Sequence, residues 1–522
     1  MSRAGSSSGT AGSASIVLAD NPREQVSTLR KLLILFACIL TTTLYGTTLL
    51  IVATVLPQIQ GSMSATADEI AWVVTFNILA TAIATPMSGW LSSRFGTRNV
   101  MIWSITGFTL ATLMCGLSDS LETLVFWRIA QGALGAPSTP LVQKILLDTF
   151  EKKHHSTVIG AYGFGVVMGP IIGPILGGQM AEIYTWRWAF YVLVPVGVLS
   201  VVSLFLFLPR EVRKRSAKLD WTGFLALAVA LSCMQLVLSR GQRLDWLESS
   251  EIVLELLIAG IAIWVFFAHV LTAREPFLNP RYLLDRNYAL GLLLVTIYGM
   301  LNFTPMVLLP PLLREHVGFS EHVIGIIVAF RGVGGTVGFA VAGFASRVDP
   351  RVSMLIGFGM LLVAGIWLMT MSLDVSVFAL AANAALQGAA IGAIWVPLTV
   401  VTFSSLPTHA LAETSAVFHL LRNLGTSFFI SLCVTEIVRS EGVNYSYMVE
   451  FITPFNELLS LPWVHGAWDI ESAKGLASIS GEIRRQAAMV GYLNAFGMFT
   501  AGCAVAMPLV LLVRRPNLAK KD

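Results

Sequence analysis

The chain is built around a series of apolar runs, each about 20 residues long and separated by short polar stretches. A helix of this length crosses the ~30 Å hydrocarbon core of a bilayer. Because that core offers no water to backbone N–H and C=O groups, a segment inside it must form a helix or a strand of a closed barrel. Barrel strands alternate polar and apolar residues over ~10-residue segments, and these runs do not alternate. The runs therefore predict an all-α integral membrane protein.

Composition supports this prediction. Hydrophobic types supply 55% of the 522 residues and charged types 12%, against about 25% charged residues in soluble domains. The five cysteines lie inside apolar runs, which indicates small buried side chains and no metal or disulfide spacing. The net charge of +4 does not favour nucleic-acid binding, because the basic residues are not clustered in one patch.

We predict fourteen membrane-spanning helices, at 32–57, 70–91, 100–118, 121–147, 157–183, 188–209, 221–239, 251–271, 288–313, 322–345, 352–372, 376–401, 416–438 and 486–513. An even number places both termini on one side. With the N-terminus inside, the inside segments carry 22 of the 34 Lys and Arg residues, the outside segments eight and the helices four. Positive charge concentrates on the cytoplasmic side, so both termini are expected in the cytoplasm.

An internal repeat predicts two related halves. Segment 93–98 (SRFGTR) resembles segment 346–351 (SRVDPR), 253 positions later, and 131–133 (QGA) recurs 256 positions later as 387–389. These matches pair predicted helix 2 with helix 10 and helix 4 with helix 12. Two six-helix halves joined by two additional helices explain the offset, and such repeats are typical of transporters that hold their substrate between the halves.

The expected domain organisation is a disordered cytoplasmic tail 1–31, a six-helix bundle 32–209, two linker helices with flanking loops 210–287, a six-helix bundle 288–513 and a cytoplasmic tail 514–522. The first tail lacks the apolar core of a signal peptide, so the first helix should act as its own insertion signal. The second bundle includes a long outside loop, 439–485. Either this loop forms a small lid or docking surface, or it is a partly ordered connection.

A tight turn is expected between predicted helices 2 and 3, where Gly96 can take positive φ. Arg94 and Arg98 should then bond helix C-terminal carbonyls at the cytoplasmic face. With Gly89, they form a candidate gating motif; the alternative is that the arginines only obey the positive-inside rule.

Predicted helix 5 carries four glycines at four-residue spacing with two interleaved prolines. Residues at i and i+4 share a face, so the glycines form a groove that lets a neighbouring helix approach closely, and we interpret them as a pivot between the halves. The residues are Gly165, Gly169, Pro170, Gly173, Pro174 and Gly177.

Three arginines, Arg128, Arg331 and Arg422, lie inside predicted helices. A charge at membrane depth is costly, so it normally faces the bundle interior with a partner, in a functional or a purely structural role. Polar side chains and one tryptophan are further candidates for lining a cavity, although each more often bonds a neighbouring helix. They are Asn77, Gln131, Gln235, Asn302, Gln387, Trp395, Asn423 and Asn494.

On these residues the chain resembles the major facilitator superfamily, in particular the fourteen-helix drug:proton antiporter branch of the EmrB/QacA type, over about 32–513. Segment 89–98 is similar to the superfamily's loop motif, 128–132 to its helix 4 motif, whose arginine is associated with proton movement, and 160–178 to the antiporter motif of helix 5. Segments that resemble this branch in particular are 186–190, 241–246 and 453–456.

The resemblance implies a major-facilitator fold in a bacterial inner membrane and proton-coupled efflux of hydrophobic or amphiphilic small molecules by alternating access. It also implies a periplasmic adaptor and an outer-membrane channel as partners. No cofactor or metal is expected. The sequence has no phosphate-binding loop with its lysine and no nucleophile–base pair, which argues against an ATPase or another enzyme.

The chain departs from this branch where members usually carry a carboxylate in helix 1, since Gly46 of the segment 45–48 (YGTT) takes its place. Ser93 likewise replaces the acidic residue of the loop motif, and no Asp or Glu lies near the middle of a predicted helix. A cavity with arginines and no central acid should favour neutral or anionic substrates. An exporter or importer of one dedicated metabolite, or a membrane sensor or scaffold that does not transport, remain alternatives.

Overall fold

The computed structural model describes residues 27–209, 219–273, 276–345, 349–453, 455–461 and 468–514, and these residues are helical apart from short connections. The helices are α1 Thr28–Ser62, α2 Ala67–Ala84, α3 Met87–Phe95, α4 Thr97–Leu117, α5 Leu121–Gly135, α6 Ser138–Thr149, α7 His155–Ile183, α8 Trp188–Tyr191, α9 Leu193–Phe207, α10 Trp221–Arg240, α11 Ser250–Thr272, α12 Arg286–Pro311, α13 Glu321–Ala345, α14 Pro350–Met369, α15 Val377–Phe403, α16 Leu411–Val449 and α17 Ala473–Leu511. The described part of the chain contains no strand, which confirms the predicted all-α class.

Twelve of the described helices are long and apolar enough to cross a membrane. The pair α2 and α3, bent by 55° at Thr85 and Pro86, makes a thirteenth span if it is counted as one. The remaining predicted span, 121–147, corresponds to the two shorter helices α5 and α6, which are separated by Ala136 and Pro137. The chain is thus a multi-pass membrane protein, and the count of fourteen stays a prediction.

We call α1–α9 the first bundle, α12–α17 the second bundle, and α10 and α11 the linker helices. In the first bundle α1 packs along α7 and α5 packs between α2 and α4. In the second bundle α12 packs on α16, and α15 lies between α13 and α14. The two linker helices pack chiefly on each other. Between the bundles, α7 packs against α13 and α15, and α16 packs against α3 and α6.

Both ends of the described chain lie on one side, which we call the terminal side. Arg30, at the start of α1, donates to the carbonyl oxygen of Phe207 at 3.1 Å, and Arg98 donates to that of Leu208 at 3.0 Å. At the start of α12, Arg286 donates to the carbonyl oxygen of Leu512 at 2.9 Å. The opposite face is called the far side. Which of the two is cytoplasmic remains the prediction made from the basic residues.

The connection predicted at 439–485 is shorter than expected, because α16 continues to Val449 and α17 begins at Ala473. Polar bonds between the helices support the added turns: Arg484 pairs with Glu441 at 2.9 Å, and the Tyr445 and Ser480 hydroxyls lie 2.9 Å apart. Hydropathy detects only the part of a helix that matches the bilayer, so it missed these polar turns.

Several sequence predictions fall outside the described residues. These are most of both tails, the basic stretch 210–218, the first half of the repeated loop motif at 346–348, and Pro454 within 453–456.

Candidate functional site

The two bundles meet on the terminal side. A Cβ at Gly89 would lie 2.9 Å from the Cα of Glu413, so α3 approaches the backbone of α16 without room for a side chain. Gly160 of α7 meets the carbonyl oxygen of Phe339 in the same way at 2.9 Å. Contacts between α7 and α13 then continue from the terminal side to Gly332, near the middle of α13. The bundles are therefore closed against each other on the terminal side.

The predicted gating motif lies at this closure. Gly96 has φ +84°, which confirms the expected left-handed turn between α3 and α4. Arg98 caps the end of α9 through the carbonyl oxygens of Phe205 and Leu208. Arg94 instead stacks on the aromatic rings of Trp90 and Phe95. Of the two expected carbonyl bonds, the structure thus shows the one from Arg98.

Lys144 lies on α6, close to the turn between α3 and α4. Its ammonium group donates to the hydroxyls of Ser92 and Thr97, which flank the turn. The lysine on α6 thus fastens the loop motif to the first bundle. The two hydroxyl oxygens satisfy a partly buried ammonium group that would be costly to leave without hydrogen bonds.

The glycine groove of α7 packs within the first bundle, and its role as a pivot stays a prediction. A Cβ at Gly169 would lie 2.9 Å from the backbone of Gly46, and one at Gly173 2.8 Å from the carbonyl oxygen of Thr47. The groove, from Gly165 to Gly177, therefore receives α1 of the same bundle. Pro170 lies in this groove, with its Cδ 3.3 Å from the position of a Cβ at Gly46, and Pro174 follows one turn later within α7. Gly160 and Gly163, on another face of α7, meet the second bundle.

Arg128 joins helices within the first bundle. Its side chain is 1% exposed and donates to the carbonyl oxygen of Val73 at 3.1 Å and to the side-chain oxygen of Gln131. Gln131 in turn donates to the Thr112 hydroxyl at 2.7 Å, and Asn77 donates to the backbone oxygen of Arg128 at 2.8 Å. These predicted cavity residues therefore bond one another between α2, α4 and α5.

Arg331 makes a related network in the second bundle. It donates to the side-chain oxygen of Gln387 at 2.7 Å and to the backbone and side-chain oxygens of Asn302. Gln387 donates to Asn383 at 2.6 Å. Arg331 is half-buried and lines a pocket together with Gln387 and Met306. The guanidinium is thus both bonded and accessible.

Arg422 is bonded differently from the other two arginines. It is half-buried, donates to the side-chain oxygen of its neighbour Asn423 at 3.1 Å, and stacks on the Trp395 ring at 5.5 Å. The ion pairs of the described residues include no carboxylate partner for it. Within the described part of the chain, its positive charge is thus not neutralised by a carboxylate.

Trp395 lies beneath Arg422 and is 1% exposed, so its ring belongs to an aromatic cluster and does not form an open wall in this conformation. Tyr298, Phe418 and His419 surround it at centroid distances of 5.2, 5.6 and 5.9 Å. Two remaining candidates lie elsewhere. Gln235 is buried on linker helix α10, and Asn494 donates to Ser440 between α16 and α17.

Sequence reasoning missed two features of this region. Tyr45-Gly46 and Tyr298-Gly299 are 253 positions apart, the offset of the loop motif, so the repeat itself could have identified them. Gln143 and His419 are buried between the bundles and bonded to each other at 2.5 Å. No local pattern indicates this pair, because its members are 276 residues apart.

The family comparison agrees with this architecture. The family model described as Major Facilitator Superfamily matches residues 36–430. The multidrug export protein EmrB of Escherichia coli (strain K12) is 32% identical over 404 residues, which cover 77% of this chain and 79% of that protein. The fatty acid resistance protein FarB of Neisseria gonorrhoeae is 26% identical and covers 88% of this chain and 91% of its own length.

A solved structure supports the fold. The human organic anion transporter TETRAN superimposes with a TM-score of 0.61 at 12% identity, covering 94% of this chain and 100% of that one. Together with its helical bundles, loop motif and repeat, these matches show that the chain belongs to the Major Facilitator Superfamily, in the EmrB-type branch, and is a secondary transporter rather than an enzyme.

Proposed function

We propose that the protein exports amphiphilic small molecules from the cell by proton-driven alternating access. The observation that carries this proposal is Arg422, a half-buried cation between the bundles without a carboxylate partner among the described residues. The relatives named for multidrug export and fatty acid resistance support an amphiphilic substrate class. In this proposal the terminal side is cytoplasmic, as the basic residues predict.

The substrate class follows from the charge of the region. A bound carboxylate or sulfonate would be stabilised by the guanidinium of Arg422, whereas a lipophilic cation would be repelled by it. The aromatic cluster around Trp395 is buried in this conformation, and we propose that it supplies apolar surface beside the charge when the bundles part. Neutral and anionic amphiphiles should therefore be preferred over cations.

Alternating access requires the terminal-side closure to open. The closure in this structure is formed by α3 and α6 against α16 and by α7 against α13 and α15. We propose that it breaks in the opposite state, which would admit substrate from the cytoplasm. Arg128 is proposed to take part in proton movement by holding α2 and α5 in place, because a guanidinium rarely releases its own proton in proteins.

A test uses purified protein in proteoliposomes with an acidic lumen. Tritiated taurocholate, an amphiphilic anion, should accumulate in the lumen and should compete better than the cation tetraphenylphosphonium. Arg422→Ala should weaken the apparent affinity for taurocholate about tenfold, since a hydrogen bond to a charged group contributes about 1.5–3 kcal/mol. Arg422→Lys is the matched control, which keeps the charge and should recover most of the affinity.

The outcome separates the alternatives. Preference for the cation would contradict the anionic substrate class. If the gradient drives the flux of neither compound nor of any other molecule tested, a sensor or scaffold is favoured. If it drives the flux of one metabolite but of neither compound, a dedicated transporter is favoured.

A partner is also proposed for the far side. Helix α16 has 39 residues, about 58 Å at a rise of ~1.5 Å per residue, against a bilayer core of ~30 Å. Its outer turns and the connection to α17 expose large apolar side chains, among them Val443, Tyr447 and Phe455. We propose that a periplasmic adaptor, itself joined to an outer-membrane channel, binds this extension. Replacing these three residues by Ser should remove co-purification with the adaptor but leave transport in proteoliposomes intact.

A further inference from the structure

His419 bonds across the interface between the two bundles. It lies on α16 of the second bundle, 8 residues after the helix begins at Leu411, and its partner Gln143 lies on α6 of the first bundle. Both side chains are buried, with exposed fractions of 1% and 0%. The pair is therefore part of the terminal-side closure and must separate when the bundles part there.

The geometry of this bond defines where a proton could add. The Nε2 atom of His419 lies 2.5 Å from the side-chain oxygen of Gln143. That oxygen is an acceptor, so Nε2 carries the hydrogen and Nδ1 carries a lone pair in the neutral ring. Nδ1 is buried and has no hydrogen-bond partner in the described part of the chain, and the same is true of the Gln143 amide nitrogen. Nδ1 is thus an unused basic atom at the interface.

Two hydroxyls on α15 and α16 are buried as well. Ser415, one turn before His419, has a buried hydroxyl without a partner among the described residues, and so does Thr399, one turn beyond Trp395. Each such atom costs about 1–3 kcal/mol relative to a hydrated one. Water that enters when the bundles separate would satisfy the two unpartnered atoms of the bridging pair, Nδ1 of His419 and the amide nitrogen of Gln143.

The charged environment of His419 disfavours a cation in the closed state. Arg422 lies one turn further along α16, and like charges at this spacing repel. The carboxylate of Glu413 is turned away, because it accepts a bond from the backbone N–H of Asn279 at 2.6 Å. On α16 the titratable or charged groups nearest to His419 in sequence are Glu413 and Arg422, and Glu436, Arg439 and Glu441 lie four or more turns further along. The neighbouring helices contribute Arg94 on α3, Lys144 and Asp148 on α6, Tyr162 on α7, and Tyr288 and Tyr298 on α12.

We propose that Nδ1 of His419 is the atom that carries the transported proton, in place of the carboxylate that this chain lacks in its first helix. One proton, given up by water that reaches the ring from the far side, adds to the Nδ1 lone pair and forms the imidazolium, which Arg422 destabilises in the closed interface. The bond to Gln143 breaks as the terminal side opens, water solvates the cation, and the same proton leaves to that water. The neutral ring then re-forms its bond and the interface closes. The only covalent bonds that change are the Nδ1–H bond and an O–H bond of the water that gives or takes the proton, and no electron is transferred.

Histidine is suited to this task because its charge changes near neutral pH. Arginine is not, because a guanidinium stays protonated in proteins. The assignment rests on the proposed proton-driven export, and His419 becomes a proton-coupling residue of that reaction.

The decisive experiment compares His419→Gln with the wild type in taurocholate-loaded and empty proteoliposomes. Glutamine keeps an N–H donor for Gln143 but cannot be protonated near neutral pH. Uptake driven by an acidic lumen should fall at least tenfold, whereas counterflow of labelled against unlabelled taurocholate at equal pH should persist at no less than a third of the wild-type rate. Retained gradient-driven uptake would overturn the proposal, and so would loss of both activities, which indicates a purely structural role.

Gln143→Leu provides a second test that does not depend on His419→Gln folding. It removes the bond but keeps the titrating ring, so gradient-driven uptake should fall less than threefold. A tenfold loss of uptake would contradict the proposal, because the hydrogen bond between Gln143 and His419, and not the proton on His419, would then account for the effect. If the wild-type protein itself shows no gradient-driven uptake, the proposed function fails; if only the His419 prediction fails, proton-driven export stands and the carrier lies elsewhere.

Discussion

The two bundles place the same dipeptide at the same kind of helix crossing but give it different partners. Tyr45-Gly46 on α1 crosses α7 at Gly169, and Tyr298-Gly299 on α12, 253 positions later, crosses α16 at Arg422. Gly169 and Arg422 are themselves 253 positions apart. The repeat therefore preserves the backbone approach of two helices in both bundles, while only the second bundle brings a charge to it.

The glutamines of the repeat show a similar difference. Gln131 accepts from Arg128, three residues earlier on the same helix, whereas Gln387 accepts from Arg331 on the neighbouring helix α13. The glutamine that accepts the bond is thus at the same position in both halves, whereas the arginine that donates it comes from a different helix in each. Related halves can share packing because backbone contacts constrain it, and can differ in side chains that face an open space.

The largest effect is expected from adding a methyl group at the two crossings. A Cβ at Gly299 would overlap the carbonyl oxygen of Arg422, whereas one at Gly46 would lie 3.3 Å from the Cδ of Pro170. Gly299→Ala should therefore destabilise the protein by about 3 kcal/mol or prevent its folding, and Gly46→Ala by less than about 1.5 kcal/mol. The midpoint of thermal unfolding in detergent measures both.

Gly359→Ala on α14 is the control for these variants, since nothing lies within 4 Å of its added Cβ. It should be neutral or stabilising, because alanine favours a helix over glycine by about 0.5–1 kcal/mol. Equal losses at Gly299 and Gly46 would show that the two crossings are not packed differently.

A smaller difference is expected between the bonded arginines. Arg128→Ala leaves the Gln131 side-chain oxygen without its donor in a buried site, at about 1–3 kcal/mol, and removes the second hydrogen bond to the Val73 carbonyl. Arg331→Ala should lose less, since Arg331 is half-buried and water can reach its acceptors. Thermal midpoints should rank Arg128→Ala below Arg331→Ala.

Transport gives a second readout for Arg128. Arg128→Ala should reach the membrane yet lose gradient-driven uptake of taurocholate, whereas Arg128→Lys should retain part of its stability through the remaining charge. Normal uptake by Arg128→Ala would remove Arg128 from proton movement. The opposite stability ranking of the two alanine variants would contradict the burial argument.

The smallest effect concerns the linker helices, which belong to neither half. Burial raises the pKa of Asp220, but hydrogen bonds from the N–H groups of Gly223 and Phe277 and from His269 lower it more, so the folded pKa lies below its ordinary value. The ionised carboxylate of Asp220 therefore stabilises the folded protein fully at any pH above about 3.9, the pKa of Asp in the unfolded chain. This stabilisation is lost as the pH falls through the lower pKa of Asp220 in the folded protein. Asp220→Asn should lower the thermal midpoint at pH 7 and flatten its decline in acid. An unchanged acid profile would exclude this linkage.

Much of the fold followed from one-dimensional signals. The length of the apolar runs predicted the spans, because a helix must match the thickness of the bilayer. The shared offset of the loop motif and of Gln131 indicated two related halves, because a repeated segment keeps a constant spacing along the chain. Gly96 was predictable for a local reason, since a short connection needs positive φ. The helix ends at Val449 and Ala473 were not, because polar turns outside the bilayer depend on bonds to another helix.

The amino-acid sequence by itself thus determined the class, the repeat and the candidate charges. The tertiary structure decided what each charge faces: Arg128 is enclosed by acceptors, Arg422 is not, and the glycine groove of α7 receives α1 instead of the other bundle. It also joined Gln143 to His419 across 276 residues. Periodicity specifies which face of a helix is apolar, but the partner of that face is set only when all helices pack together.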